Sequence, residues 1–199
     1  MPKRVDPDAR RTELVDAYLR IISRSGVAAA TTRALAAEAG ISAGALWHYF
    51  TDLNELVDAA FQRVYQRTNE RIAQATRDQS GLNALWAMAS EILPSNDLTR
   101  SEAVVVVSFW GSLHASESFK AHARTVEREW SEMIARFLRE AVGSGELVSA
   151  TPVEGLTDIL VALFDIVQVR YVQGSPTADQ QHQLALIALA LEPWLGRTV

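Results

Sequence analysis

Residues 32–50 carry side chains whose types and order fit contact with double-stranded DNA. Ala39-Gly40-Ile41-Ser42 reads as a tight turn: small Ala39 permits close helix packing, Gly40 tolerates positive φ, and Ile41 can plug the gap between two helices. A short helix precedes the turn, with Thr31-Thr32 offering the cap, and Ser42 caps a second over 43–49. Leu35, Ala36, Leu46 and Phe50 are available for the inner faces. The outward face of the second helix then shows Ala43, Gly44, Ala45, Trp47, His48 and Tyr49. Its small residues let a helix sink into a major groove, and its larger rings can brace phosphates. Two short helices joined in this way predict a helix-turn-helix. His48 taken singly is an ordinary solvated group; within this pattern the DNA-contact reading is preferred.

A second set of residues points to small-molecule binding. Trp86, Phe109, Trp110, Trp130, Phe137 and Phe164, with Phe119, Tyr171 and Trp194, suffice to line an apolar pocket between helices, although each could equally be core or interface. Asp165 lies in the apolar run 160–167, where a carboxylate must be paired, protonated or facing a cavity. Glu102 and His114 stand at the two ends of another apolar helix, and Gln168 completes the candidate ligand set.

These residues need helices to position them, and nearly the whole chain reads as helix. The predicted spans are 8–25, 32–39, 43–49, 52–77, 82–93, 99–114, 118–142, 152–172 and 178–195. Gly26, Pro94, the Gly143-Ser144-Gly145 break and 173–176 provide the interruptions. The expected fold class is therefore all-α: a three-helix DNA-binding unit over 1–52 and a helical ligand-binding and dimerisation unit over 53–199. The seam runs along the fourth helix. Leu156, Ile159, Leu160, Leu163 and Val167 form one apolar stripe, and Leu184, Ile187, Ala188 and Leu191 another. Two copies could close a four-helix bundle with them; the same stripes could also serve packing within one chain.

Charge and composition narrow the choice. Up to Phe50 seven basic side chains meet five acidic ones, whereas beyond it twelve basic meet nineteen acidic, for a net charge of −5. A mildly positive head on an acidic body suits a protein that offers one end to phosphates. The chain has no cysteine, which excludes disulfides, thiolate catalysis and cysteine-ligated zinc. His114 and His122 lack metal-site spacing, and there is no phosphate-cradling glycine loop or nucleophile elbow, so neither an enzyme, a cofactor nor a metal is expected. No run approaches the roughly 20 apolar residues of a membrane span. The opening residues lack the apolar segment of a signal peptide, and the expected location is the cytoplasm. Lys3 and Arg4 could be a minor-groove arm or a loose tail.

Residues 11–61 closely resemble the DNA-binding domain of the tetracycline-repressor (TetR) family, on Leu14, Gly26, Thr32, Arg33, Leu35, Ala36, Ala39-Gly40-Ile41-Ser42, Gly44, Leu46, Phe50 and Leu56. The resemblance implies a helical homodimer joined through its last two helices. It further implies repression of a palindromic operator, and release when a small molecule binds the C-terminal core. It assigns phosphate contacts to Thr32, Trp47, His48 and Tyr49 and base edges to Arg33, Ala43, Gly44 and Ala45, with Ser42 at the same surface. Arg33 is then the candidate for bidentate reading of guanine. Two positions depart from the family pattern: Trp47 replaces a common tyrosine, and Leu53 replaces a lysine that reaches the DNA backbone. His48-Tyr49-Phe50, Ser108-Phe109-Trp110 and the stretch from Ala162 to Asp165 also look like the choline-responsive repressors of betaine synthesis. Ile166 and Val167, however, replace the glycine and tryptophan usual after the aspartate. An acidic residue among tryptophans would suit a cationic amine. The competing reading is a helical sensor or adaptor without operator binding, for which Leu53 and the acidic net charge speak.

Overall fold

Short polar caps punctuate the chain into helices, as local chemistry dictates. The computed structural model describes residues 6–111 and 117–196; Lys3, Arg4 and His114 lie outside them. Among the described residues there are nine α-helices and no strand: α1 (Pro7–Ser25), α2 (Thr32–Glu38), α3 (Ala43–Leu46), α4 (Leu53–Ala75), α5 (Gly81–Ile92), α6 (Asp97–Gly111), α7 (Glu117–Ser144), α8 (Val153–Val172) and α9 (Gln180–Leu191). The Asp6 side chain accepts from Asp8 N to open α1, with Pro7 in the first turn. Asp52 accepts from Glu55 N at 2.9 Å to open α4, while Glu55 accepts in return from Thr51 N at 2.6 Å. That exchange satisfies the orphaned Glu55 N–H of the first turn and the Thr51 N–H just before the cap.

Two boundaries differ from the sequence expectation for identifiable reasons. The helix expected over 178–195 stops at Leu191 and gives way to a single 3-10 turn, Glu192–Trp194. Pro193 has no N–H to continue the α ladder. The helix expected over 43–49 is regular only to Leu46; Trp47, His48 and Tyr49 continue it through bonds to the third residue back, at 3.0–3.3 Å.

Two apolar cores result. The first joins Leu14, Tyr18, Ile21 and Ile22 of α1 to Leu35, Leu46, Phe50, Leu56 and Phe61, and also takes in Val105 and Phe109 of α6 and Phe119 of α7. The second gathers Leu85 and Met88 of α5, Ile134, Phe137 and Leu138 of α7, Leu160 and Phe164 of α8, and Ile187 and Leu191 of α9. Helix α4 serves both, giving Phe61 and Val64 to the first and Ile72 to the second. Its 23 residues rise over roughly 34 Å at the α-helical rise.

The apolar stripes of α8 and α9 point mainly inward. Leu156, Leu160 and Val167, and Ile187 and Leu191, are buried within the chain, with Leu163 and Leu184 partly so. Exposed on the other faces are Ile159 and Ile166 of α8 and Leu189 of α9. Helical spacing alone cannot distinguish the two faces of a helix that is apolar nearly all round.

Candidate DNA interface and effector cavity

The turn between α2 and α3 closes as the residue types demand. Gly40 takes φ 65°, its N–H bonds Ala37 O at 3.2 Å, and Ile41 N–H reaches Ala36 O at 2.9 Å. These are the paired bonds of a glycine-terminated helix. Ile41 packs partly buried against the first core. Thr31, not Thr32, caps α2, accepting from Ala34 N at 3.2 Å. Ser42 Oγ accepts from Ala45 N at 3.2 Å, and its hydroxyl hydrogen stays free to donate.

Leu35, Leu46 and Phe50 are buried, whereas Arg33, Ser42, Ala43, Gly44, Trp47 and His48 are exposed, and Thr32, Ala45 and Tyr49 are half-buried. Every residue of the candidate DNA set therefore keeps some accessible surface. Neighbouring arginines are already engaged. Arg10 reaches Ala39 O at 2.9 Å; Arg11 bonds Tyr49 O and Glu55 and lies 4.3 Å from the Phe50 ring centre; Arg20 and Arg24 share Glu38. Both of those pairs hold the Glu38 carboxyl below its usual range. Arg33 makes no hydrogen bond or ion pair among the described residues, which leaves its guanidinium open to an external partner. Leu53, at the first turn of α4, is exposed as well.

A cavity of about 430 Å³ lies between α4, α5, α6, α7 and α8. Six of the ten residues proposed from sequence line it: Glu102, Trp110, Trp130, Phe164, Asp165 and Gln168. Three are placed elsewhere. Phe109 is fully buried in the first core, stacked on Phe61 with ring centres 3.8 Å apart. Phe137 is buried in the second core, and Trp86 packs partly buried against it. Unforeseen polar members are Tyr65, Thr68, Glu91 and Glu127. Glu91 ends an otherwise apolar helix and could have been singled out as Asp165 was; Glu127 sits in a charged stretch that gives no such signal.

Four carboxylates thus face one aromatic-walled space, and no Lys, Arg or His lines it among the described residues. They fall into two pairs. Glu91 and Glu102 are compensated from behind by Arg71, which bonds Glu91 at 3.0 Å and Glu102 at 2.8 and 3.0 Å. Burial nevertheless pushes the Glu102 carboxyl up, against the pull of Arg71. Glu127 and Asp165, on α7 and α8, have no ion pair among the described residues. Asp165 is solvent-reachable yet crowded by protein, and that crowding, reinforced by the Glu127 charge, pushes its carboxyl up to about 6. Two donors at the wall are committed: Trp130 Nε1 donates to Asn69 Oδ1 at 2.9 Å, and Tyr65 OH to Glu129. Burial and the Glu129 carboxylate raise the Tyr65 phenol to about 12. No group of three or more His, Cys, Asp or Glu able to hold a metal occurs among the described residues.

A helix-turn-helix mounted on a helical body defines the class: a DNA-binding transcriptional regulator. The chain belongs to the TetR family, with a C-terminal half of the BetI type. Residues 14–60 match the bacterial regulatory proteins of the tetR family, and residues 81–195 match the C-terminal domain of BetI-type transcriptional repressors. The HTH-type transcriptional regulator PksA of Bacillus subtilis (strain 168) is 34% identical over 123 residues, which are 61% of this chain and 60% of PksA. BetI of Serratia proteamaculans (strain 568) is 29% identical over 143 residues, 70% of this chain and 72% of BetI. Among solved structures, a transcriptional regulator of Saccharomonospora viridis in complex with choline superposes with a TM-score of 0.83 at 18% identity, over 96% of this chain and 99% of that one. A regulator of Rhodococcus sp. Rha1 gives 0.73 at 22% identity, over 92% and 97%. No helix among the described residues is long and apolar enough to cross a membrane.

Proposed function

We propose that this chain is a cytoplasmic, ligand-releasable repressor that binds a palindromic operator as a homodimer and has no catalytic role. Residues 1–52 act as the DNA-binding unit and 53–199 as the sensing and dimerising unit. The observation that carries the reading is the shared helix α4, which starts beside the DNA surface at exposed Leu53 and walls the acidic cavity with Phe61, Val64, Tyr65 and Thr68. Arg33 reads a base, with Ala43, Gly44 and Ala45 in the groove and Thr32, Ser42, Trp47, His48 and Tyr49 on the backbone. Exposed Ile159, Ile166 and Leu189 supply the apolar dimer face of α8 and α9.

The effector is a small cation, held by the uncompensated Glu127 and Asp165 and by the faces of Trp110 and Trp130. Two recognition helices must reach successive major grooves about 34–36 Å apart, or a multiple of that. A cation that prefers the cavity shape of the splayed dimer shifts the population away from that spacing.

Selection of bound sequences from random DNA with the purified protein, at moderate salt and without effector, tests the reading. Recovery of a palindrome is the expected result. No enrichment, even at low salt, overturns it and favours the adaptor reading, with exposed Leu53 as its structural basis.

A further inference from the structure

The cavity is specific about more than the sign of charge. Gln168 is 93% buried, being 7% exposed, and it lines the cavity. Its Nε2 donates to the carbonyl of Ile92 at 2.9 Å. Because that partner is an acceptor, the amide orientation is fixed, and Oε1 is the remaining end. Oε1 has no protein partner and is itself shielded from solvent, so a ligand donor meets it only as the amide shifts toward the cavity. A buried acceptor left unpaired carries its full desolvation penalty, so it favours a ligand that brings an N–H or O–H to it.

Trp130 and Tyr65 have their donors already committed, and Glu127 and Asp165, once ionised, can only accept. Those two carboxylates repel one another from α7 and α8, and one positive charge leaves one of them uncompensated.

We infer that the effector is a diamine or polyamine: a flexible cation with at least two ammonium groups that still carry N–H bonds. One ammonium sits with Asp165 and the other with Glu127, and an N–H of the molecule supplies the donor that Gln168 Oε1 lacks. A quaternary ammonium satisfies the charge but has no N–H to give. This inference rests on the cavity being the effector site of the proposed repressor, and it names the chemical class that site takes.

Calorimetry with the full chain tests it, using 1,4-diaminobutane, n-butylamine and the fully N-methylated form of the same diamine, above neutral pH. The diamine is expected to bind at least about tenfold more tightly than either comparator, each tenfold being about 1.4 kcal/mol. Gln168→Leu should erase the preference over the methylated form, and Glu127→Gln the preference over the monoamine. The wild-type series stands alone if either variant fails to fold. Equal or tighter binding of the methylated cation, or of butylamine, overturns the inference, as does heat from none of the three. Operator selection is scored on the same preparation. If it succeeds while the cations fail, only the diamine class falls; if it fails while the diamine binds as expected, the repressor reading falls and the ligand class stands.

Discussion

The guanidinium of Arg71 grips the carboxylate of Glu102 with two prongs, Nη1 to Oε1 at 3.0 Å and Nη2 to Oε2 at 2.8 Å, and so ties α4 to α6 at the cavity wall. Two earlier arginines on the same face of α4, Arg63 and Arg67, reach Asp16 of α1 at 3.4 and 2.8 Å. Residues four apart lie one above another on a helix. A single charged face therefore links the DNA-binding helices to the acids of the cavity.

Arg71→Met is expected to destabilise the protein by about 2–4 kcal/mol, since it strips the partner from two partly buried carboxylates. Glu102→Gln should cost less, because it removes a charge that burial already disfavours. Urea unfolding of the two variants checks the order. An Arg71→Met midpoint equal to that of the unaltered protein would mean that Arg71 contributes nothing beyond its apolar stem.

Binding of a monovalent or divalent amine should strengthen as pH rises through about 6, where Asp165 ionises. For one carboxylate the gain between pH 5 and pH 7 is about tenfold. The stability of the ligand-free protein runs the opposite way. A carboxyl raised in the folded state contributes stability below its unfolded value near 3.8 and loses it as pH rises through about 6. Asp165→Asn should remove both dependences, with only a small change in unfolding midpoint because solvent reaches the group. Calorimetry and thermal melts across this range read the two effects separately.

The DNA end of the molecule was legible in the sequence because local rules determine it. A capped short helix, a glycine at positive φ and a second cap leave little choice about which side chains point outward, and Arg33, Trp47 and His48 lie where that logic puts them. The cavity was less legible because several distant helices build it. Asp165 stood out against its apolar neighbours; Glu127 did not, since a carboxylate in a charged run has no distinguishing pattern until α7 packs near α8. The same limit separates Phe109 from Trp110. They are adjacent in sequence, and a rotation of about 100° along α6 sends one into the core and the other to the cavity.

That separation can be measured. Phe109→Ala removes a ring stacked on Phe61 and packed near Phe119, and is expected to cost about 3–5 kcal/mol of stability. Trp110→Ala, at a half-buried cavity position, should cost less stability and instead weaken amine binding. Chemical denaturation and calorimetry on both variants distinguish a core residue from a ligand wall. A larger stability loss at Trp110 than at Phe109 would reverse the assignment.

The exposed apolar side chain at the start of α4 offers the sharpest test of the DNA surface. Leu53 is 45% exposed at the first turn of a helix in which Asp52 caps the Glu55 N–H. Leu53→Lys places one cation there. If that point faces a phosphate, operator affinity rises and the slope of log affinity against log salt steepens by about 1.8 for the dimer, the release of one condensed counterion per protomer. Arg33→Ala should behave differently. It should lower discrimination at one operator base pair by about 1–3 kcal/mol, because a base contact is lost in addition to charge. A Leu53→Lys variant with unchanged slope would place α4 away from the backbone. Uniform weakening of Arg33→Ala on every sequence would make Arg33 a phosphate contact and leave base reading to the small residues of α3.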